Sequence, residues 1–320
     1  MSDITPKPAP APTASAPSRL ARFWDSDFVY AFRHSPVAIV ALLVVLVLFL
    51  AALFAPWIAP HNPFDPATLN LMNGFTPPGQ PNAFTQETFL LGTDDQGRDV
   101  FSTILYGMRI SLFVGISAVL LAMIIGVILG LVAAYVGGWV ETLIMRVADV
   151  QLTFPAILVA MLIFGIAKGF TPPEYRNQMA IWVLIIAIAL SDWVQFARVV
   201  RGAALVEKNK EYVQAARLIG RGSLPIMFRH ILPNVLSPVL VISTISLALA
   251  IIAEATLSFL GVGAPPTQPS LGTLIRIGQG FLFSGEWWIL FFPAVTLLAL
   301  ALSVNLLGDW LRDALNPKLR

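Results

Sequence analysis

The feature that most constrains this chain is an uninterrupted apolar run at residues 37–55, which contains no charged side chain. A helix of that length crosses the roughly 30 Å hydrocarbon core of a bilayer. The apolar core of a secretory signal peptide has only about 7–15 residues, and no small-x-small cleavage pattern precedes Pro56. We therefore predict an uncleaved transmembrane helix at 37–55.

Similar apolar runs recur along the chain, so we predict an all-α integral membrane protein with six transmembrane helices. Hydrophobic residues make up 57% of the chain and charged residues 12%, whereas about a quarter of the residues in soluble domains are charged. The predicted spans are 37–55, 110–136, 152–167, 179–200, 235–253 and 289–307, with a short interfacial helix at 139–150.

Lysine and arginine residues are concentrated on one side of these predicted spans. The N-terminal segment, the segment between the fourth and fifth spans, and the tail carry most of them. The opposite side carries only Arg98, Arg109, Lys168, Arg176 and Arg276. Because cytoplasmic loops are enriched in lysine and arginine, we predict that both termini and the central segment lie in the cytoplasm.

The spans divide the chain into segments of different character. Residues 1–36 are predicted to be a disordered or interfacial cytoplasmic N-terminus, followed by the first span. Residues 56–105 are rich in proline and are predicted to be a periplasmic loop that is ordered only in patches. Residues 106–308 are predicted to form a core with five spans and a cytoplasmic loop at 207–234, and 309–320 to form a cytoplasmic tail.

The second span contains a small residue at every fourth position, which we call the small-residue ladder. Such a ladder allows two helix backbones to approach closely in lipid, where association depends on packing. The alternative is that glycine is simply frequent in membrane helices. The ladder consists of Ala122, Gly126, Gly130 and Ala134.

Several kinds of chemistry lack a motif in this sequence. There is no GxxxxGK[ST] phosphate-binding loop and no GxSxG nucleophile motif. There is no cysteine, and His34, His61 and His230 lie far apart in sequence. The formal net charge of +2 does not favour nucleic-acid binding. We therefore assign no catalytic residue, no cofactor and no metal site.

Acidic residues at membrane depth are candidates for function, and two occur here, Asp192 and Glu254. They are interpreted either as helix-end or interhelical hydrogen-bonding groups, or as parts of a proton relay. The relay is disfavoured because no second acid or histidine lies deep in another span.

The acidic segment TDDQGRD at residues 93–99 precedes the second span. Its spacing does not match the alternating ligands of a calcium loop. Capping of the following helix is the favoured interpretation, because carboxylates stabilise helix N-termini.

The densest charge lies in a water-soluble stretch at 211–234, EYVQAARLIGRGSLPIMFRHILPN. Gly220 is predicted to end a first helix, because glycine readily adopts the left-handed conformation of a C-terminal cap. A second helix is predicted to be capped by Ser223, to tolerate Pro225 in its first turn, and to stop at Pro233. An ordinary cytoplasmic helical hairpin is the alternative to a docking element.

This stretch resembles the EAA loop of bacterial ABC importer permeases. The stretch departs from the general form of that loop at two places: Glu211 lies four residues before the alanine pair, and His230 stands where isoleucine is usual. Both departures resemble the peptide-import branch of the family. Three further blocks, 91–112, 254–275 and 305–317, resemble the dipeptide and oligopeptide branch with DppC/OppC-type permeases. The matched loop residues are Glu211, Ala215, Ala216, Gly220, Ile231, Leu232 and Pro233.

The resemblance implies a type I permease fold in the bacterial inner membrane, with no catalytic activity of its own. It implies a homologous second permease (DppB/OppB-like), two cytoplasmic ATPases that bind the ATP, and a periplasmic solute-binding protein. The matched loop residues, together with Arg217 and Arg221, are expected to couple this chain to an ATPase. Ala215, Ala216 and Gly220 are expected to transmit force, and the two arginines can meet acidic groups at the rim of the ATPase groove. The expected cargo is a dipeptide, an oligopeptide or a similar small solute.

Two other classes of protein fit the sequence less well. A stand-alone proton-coupled secondary transporter requires paired mid-membrane carboxylates and inverted repeats, and neither is evident. A membrane-bound hydrolase requires a nucleophile with a base, and none is evident either.

Overall fold

The computed structural model describes residues 27–65 and 69–314, and the regular elements within these ranges are helical. The predictions for residues 1–26, 66–68 and 315–320 lie outside the described residues. A π-helical turn, Met227–Ile231, joins two of the helices. The helices are α1 Asp27–Arg33, α2 Pro36–Leu53, α3 Ala55–Ile58, α4 Val100–Val136, α5 Gly138–Leu152, α6 Ala156–Phe170, α7 Arg176–Glu207, α8 Glu211–Leu218, α9 Ser223–Ile226, α10 Leu232–Phe259, α11 Leu271–Gln279 and α12 Trp288–Ala314.

Five helical segments in the described residues are long and apolar enough to cross a membrane, and a sixth span results if α5 and α6 count as one. These two helices are bent by 100° relative to each other. Pro155 causes the break, because proline lacks an N–H and disfavours helical geometry in the residue before it. The third predicted span, 152–167, is therefore corrected to α6, which has 15 residues, and α5 corresponds to the predicted interfacial helix.

The second span begins at Val100, ten residues before the predicted start at 110. Asp99 caps the helix, since its carboxylate accepts hydrogen bonds from the backbone N–H groups of Phe101 (3.3 Å) and Ser102 (2.9 Å). The proline-rich loop consequently ends at Asp99, and its predicted end at 105 is wrong. A capped helix can begin in polar sequence before the apolar run, because the cap satisfies the first free N–H groups.

The proline-rich loop is a hydrogen-bonded unit at the N-terminal end of α4. The hydroxyl of Thr76 donates to the carbonyl of Asn73 (2.7 Å), and the side-chain amide of Asn82 donates to the hydroxyl of Thr76 (2.7 Å). The indole N–H of Trp288 donates to the carbonyl of Thr93 (3.0 Å). This bond fixes the unit to α12, which is distant in sequence.

Helices α4 and α7 pack along the small-residue ladder, whose four members are all buried. A Cβ atom at Gly126 would lie 2.4 Å from the Cβ of Phe196, and one at Gly130 would lie 2.4 Å from the carbonyl oxygen of Ala197. The two backbones thus approach at a distance that only glycine permits at these positions.

The fifth span is longer than predicted, because α9, the π-helical turn and α10 form one helical segment, Ser223–Phe259. The prediction that the helix stops at Pro233 is wrong. The backbone N–H of Leu232 donates to the carbonyl of Met227, five residues earlier, which widens the turn. Pro233 lacks an N–H, and the π-helical turn directly before it interrupts the regular i→i−4 pattern in which that N–H would take part.

The C-terminal helix α12 continues to Ala314 and does not end at 307, so residues 309–314 are helical. Trp310 extends the packing surface, since its ring lies edge-on to Phe32 of α1 at 5.1 Å. The helix α11 within the Gly/Pro-rich segment after Gly261 was not predicted. It packs so closely that a Cβ at Gly272 would lie 2.2 Å from the carbonyl oxygen of Ala255.

Two large apolar clusters hold the bundle together. One joins α4, α6, α7 and α10 to the helices α8 and α9. The other joins α2, α4, α10, α11 and α12. The first cluster matters most here, because it connects the water-soluble helices directly to the spans.

Candidate functional site

Helix α8 ends in a glycine-based cap that sets the direction of the following chain. Gly220 has φ +80°, the left-handed region that favours glycine. Its N–H donates to the carbonyl of Arg217 (2.9 Å), and the N–H of Arg221 donates to the carbonyl of Ala216 (3.1 Å). This pair of bonds is a Schellman motif, as the sequence predicts for a helix that stops at glycine.

The start of α9 differs in one detail from the prediction. Gly222 is the N-cap residue, and no side chain caps the helix. Ser223 is the first helical residue, so the prediction that it caps α9 is wrong. Pro225 lies in the first turn, where its missing N–H has no intrahelical partner to lose.

Large apolar side chains project from the turn between α8 and α9. The side chains of Leu218, Ile219 and Leu224 are 88%, 81% and 66% exposed. Arg217 and Arg221 are also exposed beside them. We call these five residues the docking surface. Contiguous exposed apolar side chains rimmed by charge are typical of an interaction site between proteins.

The opposite face of the same helices is buried. Val213 and Ile226 are fully buried, Ala216 is 7% exposed, and all three belong to the apolar cluster that contains α4, α7 and α10. The docking surface is therefore supported from beneath by the spans. A displacement of this surface must move the spans or break that packing.

A polar cluster ties α8 to the end of α7 and the start of α10. The hydroxyl of Tyr212 donates a hydrogen bond to the carboxylate of Glu207. The side-chain amide of Asn234 donates to the hydroxyl of Tyr212 (3.0 Å) and to the carbonyl of His230 (2.8 Å). Lys210 forms an ion pair with Glu207 at 2.8 Å.

Tyr212 remains a hydrogen-bond donor at neutral pH. Burial and the adjacent Glu207 carboxylate raise the pKa of Tyr212 to about 12. Its proton is therefore retained, and the bond to Glu207 persists over the physiological range.

The basic side chains of this region have different partners. The guanidinium of Arg217 lies over the ring of Tyr135, 5.2 Å from its centroid, at the end of α4. The ammonium of Lys208 donates to the carbonyl of Ala134 (2.6 Å), where it satisfies a free carbonyl at the C-terminal end of α4. Arg221 is exposed at the docking surface.

The predicted loop residues lie on α8, just after it, and in the turn that leads into α10, but they do not share one exposed surface. Glu211, Ala215 and Pro233 are exposed, whereas Ile231 is buried and Leu232 is half-buried. Ala216 faces the spans and Ala215 faces outward. The alanine pair thus contributes one residue to each side of α8.

The most exposed apolar residues of the site were not predicted from the sequence; they are Leu218, Ile219 and Leu224. The available signal was a pair of large apolar residues immediately before a helix-ending glycine, in a segment otherwise polar. Tyr212, Glu207 and Asn234 were not predicted either, because their contact depends on how three helices meet.

Glu254 is a fully buried carboxylate in α10. It accepts hydrogen bonds from the hydroxyls of Ser111 and Ser258, each at 2.7 Å. These serine oxygens accept in turn from the backbone N–H groups of Leu271 (3.2 Å) and Ala264 (3.1 Å). Of the two interpretations of this acid as an ordinary group, interhelical hydrogen bonding fits, and a solvated helix end does not.

Asp192 lies in the middle of α7 and is half-buried. Its carboxylate is 3.5 Å from the hydroxyl of the neighbouring Ser191. Neither Asp192 nor Glu254 has a histidine or a second carboxylate among its hydrogen-bond partners in the described residues.

The acidic segment before α4 is occupied by structural contacts. Asp94 accepts from the guanidinium of Arg98 at 2.6 Å and from the backbone N–H of Gln96 at 2.9 Å. Burial raises the pKa of Asp94, and the adjacent Arg98 opposes that rise. Asp99 caps α4, as the sequence predicts. Within the described ranges, no group of three or more acidic, histidine or cysteine side chains is arranged to hold a metal.

Comparison with known proteins gives consistent matches along the chain. Residues 126–320 match the family described as "Binding-protein-dependent transport system inner membrane component". Residues 22–78 match the "N-terminal TM domain of oligopeptide transport permease C".

Individual relatives cover nearly the whole chain. It is 40% identical to the "Dipeptide transport system permease protein DppC" of Escherichia coli (strain K12), over 100% of both chains. It is 39% identical to the "Di/tripeptide transport system permease protein DppC" of Pseudomonas aeruginosa (strain UCBPP-PA14), over 98% of this chain and 97% of the relative. It is 36% identical to the "Oligopeptide transport system permease protein OppC" of Bacillus subtilis (strain 168), over 92% and 90%.

Proposed function

Because the chain belongs to the family of binding-protein-dependent transport system inner membrane components, we propose that it carries dipeptides or oligopeptides across the membrane. As a member of this family it is a permease subunit of an ABC importer in the bacterial inner membrane. Its family implies ATPase and solute-binding partners. The peptide cargo is proposed because the curated relatives named above are peptide permeases.

The proposed complex contains a homologous second permease, two cytoplasmic ATPases and one periplasmic solute-binding protein. ATP binds to the ATPases, and this chain contributes no catalytic residue. Both termini and the docking surface lie in the cytoplasm in this proposal, since lysine and arginine are concentrated on that side.

The proposal that an ATPase acts on this chain rests on the exposure and the packing of the docking surface. Leu218 and Ile219 are more than three-quarters exposed, while Val213 and Ala216 on the same helix belong to the apolar cluster of the spans. Exposed apolar side chains supply binding energy to a protein partner when they are buried at an interface.

In the proposed mechanism an ATPase seats the docking surface in a groove and moves it as one body. The Tyr212 cluster and the buried face of α8 transfer this movement to α7 and α10. The spans then change between two states that ATP binding favours differently.

The experiment that tests the proposed cargo is uptake by the reconstituted importer. Proteoliposomes that contain this chain and its partner subunits are supplied with the solute-binding protein, ATP and a radiolabelled dipeptide. ATP-dependent accumulation that is blocked by an unlabelled dipeptide supports the proposal. Accumulation of another solute class in the same vesicles, without competition by any peptide, would contradict it.

A further inference from the structure

A small cavity lies at the end of the bundle opposite to the docking surface. Its walls come from the last turn of α6, the first turns of α7, the segment 261–266 and α11. Helix α7 has 32 residues and runs from this cavity to Glu207 beside α8. At 1.5 Å per residue the two ends are about 48 Å apart, so the cavity and the docking surface are on opposite sides of the membrane.

Three cationic side chains line this cavity, and each comes from a different element. They are Lys168 of α6, Arg176 of α7 and Arg276 of α11. No aspartate or glutamate lines it, and within the described residues none of the three cations is in an ion pair. The walls therefore carry an uncompensated positive charge.

Three cations in one cavity are unusual on the predicted periplasmic side of this protein, which carries few basic residues. Only five lysine and arginine residues are predicted on this side, and three of them meet here. Like charges brought together repel one another, and the positive N-terminal end of the long helix α7 adds to the same field. An anion in the cavity relieves this repulsion.

The local geometry keeps the guanidinium groups available. Arg176 donates through Nε to the carbonyl of Thr171 at 3.1 Å, which orients its side chain. Its terminal nitrogens have no hydrogen-bond partner among the residues that the structure describes. A terminal nitrogen of Arg276 lies 3.2 Å from the place where a Cβ at Gly261 would be. Gly261 has φ +80°, so the absent side chain and the left-handed backbone together make room for this cation.

The size of the cavity limits the ligand. Its volume is about 120 Å³, which accommodates a carboxylate and the few atoms beside it but not an acyl chain. Arginine binds a carboxylate through two parallel hydrogen bonds, and lysine adds a point charge.

We propose that this cavity binds the terminal carboxylate of the imported solute as the solute enters the permease from the solute-binding protein. The identity of that solute as a peptide rests on the proposed function, whereas the anion site rests on the cavity alone. Lys168, Arg176 and Arg276 are binding residues in this assignment.

Charge-selective labelling of a single cysteine tests this assignment directly, because the natural chain has no cysteine. Asn177→Cys places a thiol in the cavity wall, and Ser284→Cys places one at an exposed position outside it. The whole importer in proteoliposomes without ATP is treated with a sulfonate-bearing or an ammonium-bearing methanethiosulfonate of the same size. A positive site concentrates anions about tenfold or more, so the sulfonate-to-ammonium rate ratio at Asn177→Cys should exceed that at Ser284→Cys about tenfold.

Variants of the cavity serve as matched controls. Adding Arg176→Gln and Arg276→Gln together should reduce the rate ratio to that of Ser284→Cys, while Arg176→Lys and Arg276→Lys should preserve most of it. An unchanged ratio in the glutamine variants would overturn the site. Because no ATP is present, this result does not depend on whether transport or coupling is intact.

Protection from labelling identifies the ligand. Dialanine should slow the sulfonate reagent at Asn177→Cys at least about threefold, whereas dialanine amide should not. Equal protection by inorganic phosphate and dialanine would overturn the assignment to the solute, as would no protection by either compound. Protection that follows phosphatidylglycerol content in place of dialanine would also overturn it, because the anion would then be a lipid headgroup.

Discussion

The hydroxyl of Tyr212 in α8 donates a hydrogen bond to the carboxylate of Glu207 at the end of α7. This contact joins the helix that carries the docking surface to a 32-residue helix that crosses the bundle. Asn234, at the start of α10, donates to the same hydroxyl. One phenol therefore connects three helices beside the docking surface through which, in the proposed mechanism, an ATPase moves the spans.

Tyr212→Phe should weaken this connection without unfolding the chain. The variant keeps the ring and loses the hydroxyl, which costs about 1 kcal/mol for a typical hydrogen bond. We expect several-fold fewer solute molecules imported per ATP hydrolysed, with normal amounts of protein in the membrane. Tyr175→Phe, at an exposed position beyond the other end of α7, is the control. Equal coupling in both variants would show that the Tyr212 hydroxyl is dispensable.

Gly220→Val should abolish coupling by distorting the turn between α8 and α9. Apart from the adjacent residues, no atom lies within 4 Å of a Cβ at this position, so the cost is backbone strain and not a clash. A left-handed conformation costs an L-residue roughly 1–2 kcal/mol, and β-branched residues tolerate it worst.

The measurement for Gly220→Val is ATPase activity stimulated by the loaded binding protein, together with insertion into the membrane. Gly220→Asn is the matched control, because asparagine adopts the left-handed conformation more readily, and it should retain most of the stimulation. Normal stimulation in the valine variant would contradict the role assigned to this turn.

Gly126→Ala should destabilise the bundle, although the change adds only one methyl group. That methyl would lie 2.4 Å from the Cβ of Phe196, so α4 and α7 must separate. Overpacking of this kind costs about 1–3 kcal/mol. We expect a lower Tm in detergent and a lower yield. Gly165→Ala in α6, where the new Cβ has no atom within 4 Å beyond the backbone of its own helix and the adjacent residues, should leave both values unchanged.

Glu254→Gln tests whether the buried carboxylate is structural or relays protons. Glutamine retains one side-chain oxygen for the serine hydroxyls, so part of the network with Ser111 and Ser258 persists. We expect ATP-dependent uptake to continue at a reduced rate and to be insensitive to a protonophore at constant ATP. Uptake that disappears in this variant, and that a protonophore abolishes in the natural protein, would favour a proton-coupled transporter.

Single-cysteine labelling in spheroplasts tests the orientation. Gln80→Cys lies in the proline-rich loop and Gln214→Cys lies on α8, and both side chains are exposed. An impermeant thiol reagent should label the first in intact spheroplasts and the second only after the membrane is permeabilised. The reverse pattern would overturn the placement of both termini in the cytoplasm.

The sequence predicted much of this fold because apolar runs are local signals. Runs without charge located the spans, and Gly220 located the end of α8. The predicted first and last residues of the helices were less accurate. The cap at Asp99 allowed α4 to begin in polar sequence, and a π-helical turn carried the chain past Pro233.

Contacts between distant segments could not be predicted from the sequence. The bond between Ser111 and Glu254 joins residues 143 positions apart, and no pattern in either segment indicates the other. The cavity with Lys168, Arg176 and Arg276 is a similar case, since these cations come from three elements whose packing brings them together. A docking role for residues 211–234 was expected from the resemblance, but the exposed leucines and isoleucine of the docking surface follow only from the way α8 and α9 turn.

Photo-crosslinking at Leu218 is the most direct test of the claim that an ATPase drives this chain through the docking surface. Leu218→Cys in the assembled importer is labelled with a maleimide benzophenone and irradiated, with Phe283→Cys, 97% exposed near the other end of the bundle, as the control. We predict a covalent product with the ATPase subunit from Leu218→Cys and none from Phe283→Cys. The absence of an ATPase product at Leu218→Cys in a complex that still transports would contradict the account.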